Sequence, residues 1–356
     1  TDVDLATILH PDAVIDRLEA ARIKAVPTGL DHGTVTAVAD GKNYEITTLR
    51  RDVATDGRRA TVAFATDWRE DAARRDFTIN ALYADPNTGE IFDYFGGLAD
   101  LESGIIRFIG DADERIAEDF LRILRYFRFL ARFGRGDIDP VAVAACAAGA
   151  HGLTALSRER IAQELLKILS LTNPVEAVEL MAKHAILVPF LPELRDDASH
   201  ALRRLVEREQ QHGGAISLPA RLLTLLPKDA VAVDKVAARL KLSNKLRESF
   251  AARLAAPDPT ASNILAIAYR GGVECARDVA MLYSDDGELP ACLSMLDGWV
   301  VPEFPMKGGD LIALGLPVGP VVAKTLQELE ARWIAENFPA KARVTELDNK
   351  IVSAAL

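Results

Sequence analysis

Two aspartates separated by one residue stand at the beginning of the sequence. Asp2 and Asp4 flank Val3, and in a strand residues two apart point to the same face of the sheet. Two carboxylates on one face can bind hard divalent cations through oxygen. A two-metal site can activate an attacking hydroxyl and stabilise a leaving phosphate. Taken alone, a solvated chain end explains the pair more simply, because two aspartates at this spacing are common.

A more specific segment runs from residue 74 to residue 82. The pattern predicts a helix over residues 68–82, on which Asp76 and Asn80 are four residues apart and share a face. Such a pair can hydrogen-bond the hydroxyls of a ribose. The neighbouring Arg75 suits phosphate oxygens, because a guanidinium donates two parallel hydrogen bonds. The alternative is a charged first turn on an ordinary amphipathic helix.

A second arginine-rich segment follows Glu118 and Asp119. Arg122, Arg125 and Arg128 recur in steps of three, which places them along one side of a helix. An apolar side is supplied by Leu121, Leu124, Phe127 and Leu130. A surface helix with internal ion pairs is the alternative, and each such pair contributes only about 0.3–0.5 kcal/mol. Few acids accompany these arginines, so we predict a helix that faces a polyanion.

Asp119 and Arg122 also predict a rule for selecting bases. A carboxylate accepts hydrogen bonds and a guanidinium donates them. Cytosine and adenine both offer an amino donor beside a ring-nitrogen acceptor, whereas uracil and guanine present a carbonyl beside a ring N–H. One Asp/Arg pair could therefore accept C and A and reject U and G, because a mismatched base leaves buried polar groups unpaired.

A third basic pair, Arg158 and Arg160, follows Ser157. The serine is placed to cap a helix that begins at the next residue. The start of such a helix can lend backbone amides and arginines to a phosphate. Taken alone, a simple capped helix is the more economical interpretation.

Strand and helix signals alternate in residues 1 to about 100. This region must position the aspartate pair and the segment of residues 74–82. A helix is predicted from Pro11, because proline suits a first helical position. A hairpin is predicted from residues 34–38 to residues 44–49 across the Asp40-Gly41 turn. The charged stretch Arg50–Arg59 predicts a mobile loop, and residues 90–95 predict a short strand.

From about residue 100 the pattern is helical to the end of the sequence, with proline or glycine interrupting it at intervals. The predicted fold class is α+β. A small head with a mixed sheet and helices is followed by an extended, mostly α-helical body.

Composition narrows the functional classes. The formal net charge of −10 argues against a protein that coats nucleic acid indiscriminately, although a local basic groove remains compatible with it. The three cysteines, Cys146, Cys275 and Cys292, are too far apart to predict a disulfide framework or a cysteine metal site. No apolar run approaches the ~20 residues that a membrane span needs. We therefore predict a reducing, cytoplasmic compartment and no membrane partner.

The motifs together resemble the class II CCA-adding tRNA nucleotidyltransferases and the closely related bacterial poly(A) polymerases. Seven segments match in the family's order, spread across about half of the chain. The matching segments are residues 2–7, 29–34, 44–50, 74–82, 93–97, 118–125 and 156–161.

The resemblance implies four consecutive regions. Residues 1–100 would form the nucleotidyltransferase head, and residues 101–172 a helical neck with the base-reading helix. Residues 173–255 would form a helical body, and residues 256–356 a helical tail that contacts tRNA. The implied substrates are CTP, ATP and the 3′ end of tRNA, with Mg²⁺ as cofactor.

The resemblance also implies a role for each residue of the motifs. Asp2 and Asp4 would hold two Mg²⁺ ions, with Glu45 as a less certain third carboxylate. Asp76 and Asn80 would check the ribose with the help of Arg75, and Asp119 and Arg122 would read the base. The triphosphate would be held by Arg125, Arg158 and Arg160. Asp93, Gly96 and Gly97 would close the head, and Arg50–Arg59 matches the segment thought to move when such enzymes switch from C to A.

One departure and three functions remain open at this point. The family has a Gly-Gly…Arg-Asp segment upstream of the paired aspartates, and the sequence begins just before them. We expect a natural N-terminus that precedes this sequence rather than an inactive form, because the downstream motifs are intact. CCA addition is the leading function. Poly(A) addition and a non-catalytic RNA-binding protein with a decayed head are the alternatives, and the sequence leaves the oligomeric state and partial CCA addition open.

Overall fold

The computed structural model describes residues 3–56 and 59–346, with the side chains of residues 3–51 and 63–346. Contacts between Cα atoms divide the chain into two units, with the division between Ser199 and His200. The first unit contains all the strands described below, and the second is helical. The predicted α+β class is confirmed. The four predicted domain boundaries remain predictions.

The first unit combines short strands with helices. Its strands are β1 (Asp4–Thr7), β2 (Lys24–Gly29), β3 (Thr34–Ala39), β4 (Lys42–Thr48), β5 (Arg50–Asp56), β6 (Arg59–Phe64), β7 (Leu82–Ala84) and β8 (Ile91–Asp93). Its helices are α1 (Pro11–Ala20), α2 (Trp68–Ala73), α3 (Gly97–Ser103), α4 (Ala112–Glu118), α5 (Leu121–Phe133), α6 (Pro140–Gly149), α7 (Arg158–Leu169) and α8 (Val175–Lys183).

The strands β1 to β4 form a mixed sheet in the order β1-β4-β3-β2. Strand β1 pairs with β4 in parallel, and the other pairs are antiparallel. The predicted hairpin is confirmed as β3–β4, and its turn places Asp40 at φ 51° and Gly41 at φ 72°. Positive φ at both turn residues matches the twist of the flanking strands. Helix α1 begins at Pro11, as predicted.

The prediction of a loop was wrong for the described part of Arg50–Arg59, and Gly57 and Arg58 lie outside the described residues. Strands β5 and β6 pair in antiparallel fashion, with Arg50 opposite Phe64. The charged residues suggested a loop, but the stretch also contains Val53 and Thr55, which favour strands. Backbone pairing between the two strands satisfies the hydrogen-bonding groups that a loop would leave to water.

The prediction of one helix over residues 68–82 was also wrong. Helix α2 ends at Ala73, a 3₁₀ turn covers Thr78–Asn80, and β7 begins at Leu82. Between them, Phe77 forms a bridge with Phe108, and the Phe77 N–H donates to Oδ1 of Asp76 at 3.0 Å. A short acidic side chain that bonds its own backbone offers an alternative to helix, which explains the interruption.

Helix α5 has the two faces that the sequence predicts. Leu124, Phe127 and Leu130 are buried, and the helix packs against α7 and α8. Asp119 does not lie on α5: it ends α4 in an extended conformation, and its Oδ1 accepts the N–H of Leu121 at 3.0 Å. Asp119 and the arginines that follow it are therefore separated by the break between α4 and α5.

The second unit is built from helices α9 to α17. Their bounds are α9 (Ala198–Gln211), α10 (Leu218–Thr224), α11 (Ala230–Arg239), α12 (Asn244–Ala255), α13 (Ile264–Gly271), α14 (Val273–Tyr283), α15 (Leu289–Leu296), α16 (Gly308–Ala313) and α17 (Pro320–Ala335). One apolar cluster is centred on α13 to α15, and another surrounds Trp333. Among the described residues, no helix combines the length and apolar character needed to cross a bilayer.

Candidate active site

A cavity of about 940 Å³ opens in the first unit beside the ends of β1 and β4. Its wall includes carboxylates from Asp4, Glu45 and Asp71 and the cation of Arg75. Aromatic rings complete it, among them Tyr83. A pocket that combines a few convergent charged groups with aromatic surface is the expected form of a small-molecule site.

Asp4 and Glu45 occupy directly opposed positions in this wall. They are register partners on the parallel strands β1 and β4, and neighbouring strands lie about 4.8 Å apart. Both side chains are exposed to the cavity side of the protein. Asp2, the other carboxylate of the predicted metal-binding pair, lies outside the described residues. The described residues contain no group of three or more His, Cys, Asp or Glu side chains placed to hold a metal ion.

These two carboxylates fit a hard divalent cation. Carboxylate oxygens are the preferred ligands of Mg²⁺, which commonly binds one or two carboxylates together with substrate phosphates. Asp4 and Glu45 supply that donor set in the wall of a cavity large enough for a nucleotide.

Asp76 and Asn80 are close together, as predicted, although no α-helix carries them. Nδ2 of Asn80 donates to Oδ1 of Asp76 at 2.9 Å. The other oxygen, Oδ2 of Asp76, accepts Nε of Arg125 from helix α5. Asp76 is buried. Neither Asp76 nor Asn80 is among the described residues that line the cavity, whereas Arg75 lines it directly.

Arg122 is held by neighbours other than Asp119. Its Nη1 donates to Oε2 of Glu118 at 2.6 Å and to the carbonyl of Arg115 at 3.0 Å. Its Nη2 lies 3.4 Å from the carbonyl of Arg74. The expectation that the arginines of this helix have few acidic partners was wrong. Their partners lie outside the helix: Glu118, just before it, pairs with Arg122, and Glu164, on α7, pairs with Arg128.

Arg160 brings the third basic pair to Asp119. Nη2 of Arg160 donates to Oδ2 of Asp119 at 2.7 Å. The predicted cap is present, since Oγ of Ser157 accepts the N–H of Arg160 at 3.4 Å. Nη1 of Arg158 is buried without a hydrogen-bond partner among the described residues. The structure therefore brings Arg160 into contact with Asp119, one of the two residues predicted to read the base.

Asp93 fixes the segment between β8 and α3. Its Oδ1 accepts the N–H groups of Phe95 and Gly97, and its Oδ2 accepts that of Leu98 at 2.9 Å. Burial alone would raise the pKa of Asp93, but these backbone donors outweigh it and hold the pKa below its ordinary value. A side chain on Gly97 would collide with the carbonyl of Thr78, because an added Cβ would lie 2.2 Å from that oxygen.

Sequence reasoning missed Asp71 and Tyr83, which both line the cavity. The hydroxyl of Tyr83 donates to Oδ2 of Asp71 at 2.6 Å. The available signal was the spacing of an acid three and four residues before Arg74 and Arg75, which indicates an ion pair within one helical turn.

Two family models match parts of the chain. Residues 1–107 match the family model described as the poly A polymerase head domain. Residues 137–198 match the model described as a probable RNA and SrmB-binding site of polymerase A. The two matches cover the region that carries the cavity and part of the helical region that follows it.

Two curated relatives match over nearly the whole chain. The human protein named CCA tRNA nucleotidyltransferase 1, mitochondrial, is 35% identical over 345 residues, with 93% of this chain and 78% of that protein covered. The CCA-adding enzyme of Lacticaseibacillus paracasei is 31% identical over 350 residues, with 95% of this chain and 84% of that protein covered.

A solved structure gives the same result at the level of the fold. The crystal structure of the Bacillus stearothermophilus CCA-adding enzyme in complex with CTP superimposes with a TM-score of 0.75 and 26% identity. The alignment covers 99% of this chain and 90% of that one. With two relatives above 30% identity across most of their lengths, the chain belongs to the family of CCA-adding tRNA nucleotidyltransferases.

Proposed function

We propose that this protein transfers CMP and AMP from CTP and ATP to the 3′ end of tRNA without a template and so builds or repairs the CCA end. The observation that carries the proposal is the opposed carboxylate pair, Asp4 and Glu45, in a cavity that also contains the cation of Arg75. Carboxylates for a metal and a cation for phosphate are the groups that phosphoryl transfer requires.

Metal binding is assigned to the carboxylates. Asp4, with Asp2 before it and Glu45 beside it, would hold Mg²⁺. The bound metal would neutralise charge that develops on the phosphates and lower the pKa of the attacking hydroxyl. The chemistry of the donor set supports this assignment, since both described ligands are hard oxygen donors.

In the proposed reaction, the terminal 3′-hydroxyl of the tRNA attacks the α-phosphate of the nucleotide. A bond forms between that oxygen and the α-phosphorus, the bond to the bridging oxygen of the β-phosphate breaks, and pyrophosphate leaves. The chain's main tasks are positioning and charge stabilisation. Arg75 would contact phosphate oxygens from the cavity wall, with Arg125, Arg158 and Arg160 as further triphosphate ligands.

The nucleotide would be checked at its sugar and at its base. Asp76 and Asn80, already joined by a hydrogen bond, would receive the ribose hydroxyls. Asp119 would accept the amino group of C or A, and Arg122 would donate to the adjacent ring nitrogen. The contacts of Arg122 with Glu118 and of Asp119 with Arg160 hold both groups in defined orientations, which supports selection by fixed hydrogen-bonding geometry.

We propose the cytoplasm as the compartment. All three cysteines are free and buried, and a protein with reduced thiols suits a reducing compartment. The human relative is named as a mitochondrial protein, so fractionation of the native organism is the direct test.

An extension assay distinguishes the proposed function from its alternatives. Full-length protein is incubated with Mg²⁺ and a tRNA that ends before CCA, with CTP and ATP supplied separately and together. Addition that stops after CCA supports the proposal. Two C residues only, or A only on a tRNA that already ends in CC, indicates a partial enzyme. A long A ladder indicates a poly(A) polymerase, and tight tRNA binding without extension indicates a non-catalytic protein.

A further inference from the structure

Asp71 is a buried carboxylate in the wall of the active-site cavity. Only 3% of its surface is exposed. It lies in helix α2, one helical turn before Arg75. Burying a carboxylate is costly unless charged or polar partners compensate it, so the contacts of Asp71 indicate its purpose.

Those contacts join three parts of the chain. Oδ1 of Asp71 accepts the backbone N–H of Arg50, at the first residue of β5, at 2.9 Å. Oδ2 accepts the hydroxyl of Tyr83 from β7 at 2.6 Å and Nη2 of Arg75 at 3.3 Å. All four residues line the cavity. The carboxylate of Asp71, on α2, is therefore a common acceptor for groups from β5, β7 and the turn after α2.

The guanidinium of Arg75 is restrained on several sides. Nη1 of Arg75 lies 3.4 Å from the carbonyl of Asn80, and the guanidinium carbon lies 5.2 Å from the centre of the Tyr83 ring. Its Nε is buried without a hydrogen-bond partner among the described residues. A cation that is fixed by a carboxylate and an aromatic face, with 38% of its side chain still exposed, is prepared to bind an anion.

The protonation states support a fixed arrangement. Burial and the hydrogen bond to Asp71 both raise the pKa of Tyr83, so its phenol stays a donor at neutral pH. Burial lowers the pKa of Arg75, but Tyr83 and Asp71 outweigh that effect and the pKa lies above its ordinary value.

We propose that Asp71 is a positioning residue for nucleotide binding, which holds Arg75 and Tyr83 in the cavity wall so that Arg75 meets the triphosphate already oriented. The proposal rests on the function proposed above. It assigns no contact between Asp71 and substrate: the carboxylate acts through Arg75. An oriented guanidinium loses less side-chain freedom when the nucleotide binds, which strengthens binding without a new contact.

The first test compares Asp71→Asn with Glu70→Gln. Both variants remove one negative charge from α2 at constant shape, but Glu70 is exposed. The affinity for CTP in the presence of Mg²⁺ is measured by titration calorimetry. We expect Asp71→Asn to weaken binding about tenfold, and Glu70→Gln to bind as the unmodified protein does. Equal affinities of the two variants would overturn the positioning role.

A double-variant cycle identifies the residue through which Asp71 acts. If Asp71 acts through Arg75, Asp71→Asn combined with Arg75→Ala binds CTP no more weakly than Arg75→Ala alone. A purely structural role gives additive losses instead, and that result would contradict the proposal. If Asp71→Asn fails to fold, Tyr83→Phe takes its place, because it removes one bond to the carboxylate and leaves the charge. Its loss of affinity should likewise disappear in the Arg75→Ala background.

The extension assay keeps this inference separate from the proposed function. In steady-state extension, Asp71→Asn should raise KM for CTP and for ATP by similar factors, with kcat changed less than about twofold. If the unmodified protein extends tRNA and Asp71→Asn has unchanged KM, only the positioning role fails. If the unmodified protein binds CTP but extends no tRNA, the proposed function fails, and the calorimetric comparison still decides the role of Asp71.

Discussion

The cavity of the first unit and the interior of the second unit use the same residue types in opposite ways. In the second unit, Arg221 is 1% exposed and donates to Oε2 of Glu209 from Nε at 3.0 Å and from Nη2 at 2.6 Å. In the cavity wall, Arg75 has longer contacts, 3.3 Å from its Nη2 to Oδ2 of Asp71 and 3.4 Å from its Nη1 to the carbonyl of Asn80, and 38% of its side chain is exposed.

Carboxylates show the same contrast. Asp278 in the second unit is buried and accepts hydrogen bonds from Nε of Arg253 at 2.7 Å and from the hydroxyl of Ser217. Asp4 and Glu45 face the cavity and are exposed. Charges that satisfy one another hold helices together, whereas charges left accessible beside a cavity are available for a metal or a phosphate. Substitutions in the two regions should therefore affect different measurements.

The largest effect on activity is expected from Asp4→Ala. Loss of a metal ligand removes several kcal/mol of transition-state stabilisation, which corresponds to a rate about 10³-fold lower. Because Asp4 is exposed, the free energy of unfolding should change by less than about 0.5 kcal/mol. Extension rate, tRNA binding and thermal melting are measured together, with the exposed Asp16→Ala as control. Full activity of Asp4→Ala would refute the metal assignment.

In the second unit, Glu209→Gln should affect stability rather than chemistry. Removing one partner of a buried ion pair leaves an uncompensated charge and costs about 3–5 kcal/mol. Glu207→Gln, on the exposed side of the same helix, should cost less than about 0.5 kcal/mol. Urea unfolding gives the free energies. If Glu209→Gln keeps its stability but binds CTP more weakly, the claim that this ion pair serves the fold and not the nucleotide would be contradicted.

Arg122→Ala should change which nucleotide is added. Each lost base-reading hydrogen bond is expected to reduce discrimination by about 10- to 100-fold, since an unpaired buried group costs about 1–3 kcal/mol. Incorporation of UTP and GTP is measured relative to CTP and ATP. Arg132→Ala, at the exposed end of the same helix, is the control. Unchanged selectivity in Arg122→Ala would exclude the base-reading role.

The smallest expected effect is that of Asp93→Asn, and it depends on pH. The folded-state pKa of Asp93 lies below its ordinary value of 3.8, so its ionised form stabilises the fold above that value. The stabilisation is lost as the pH falls through the folded-state pKa. We expect Asp93→Asn to lower the free energy of unfolding by about 1–2 kcal/mol at neutral pH. This difference from the unmodified protein should become smaller in acid. Melting temperatures are measured as a function of pH, with Glu90→Gln, at an exposed position, as the reference variant. A difference in melting temperature between Asp93→Asn and the unmodified protein that does not depend on pH would contradict the stabilising role of ionised Asp93.

Local patterns in the sequence predicted the elements that depend on neighbouring residues. The turn at Asp40 and Gly41, the cap at Ser157 and the apolar face of α5 are all confirmed. Each is decided within a few residues, by turn conformation, by one hydrogen bond or by helical spacing. The class of fold follows from the same patterns summed along the chain.

Contacts between distant segments could not be predicted in the same way. Asp76 and Asn80 were expected on one helical face, yet they meet because Phe77 pairs with Phe108 and interrupts the helix. The acidic partners of the arginines came from distant positions, as Glu164 did for Arg128. The role of Asp71 depends on Tyr83, twelve residues later. Nothing in the local spacing shows which strand will bring such a partner.

The central claim, that the nucleotide binds in the cavity of the first unit, has a direct test. CTP that carries a photoreactive group on its γ-phosphate is bound with Mg²⁺ and irradiated, and the labelled peptides are identified by mass spectrometry. The account predicts labelling around Arg75 that excess CTP prevents. Labelling confined to residues 200–346 and prevented by CTP would contradict it.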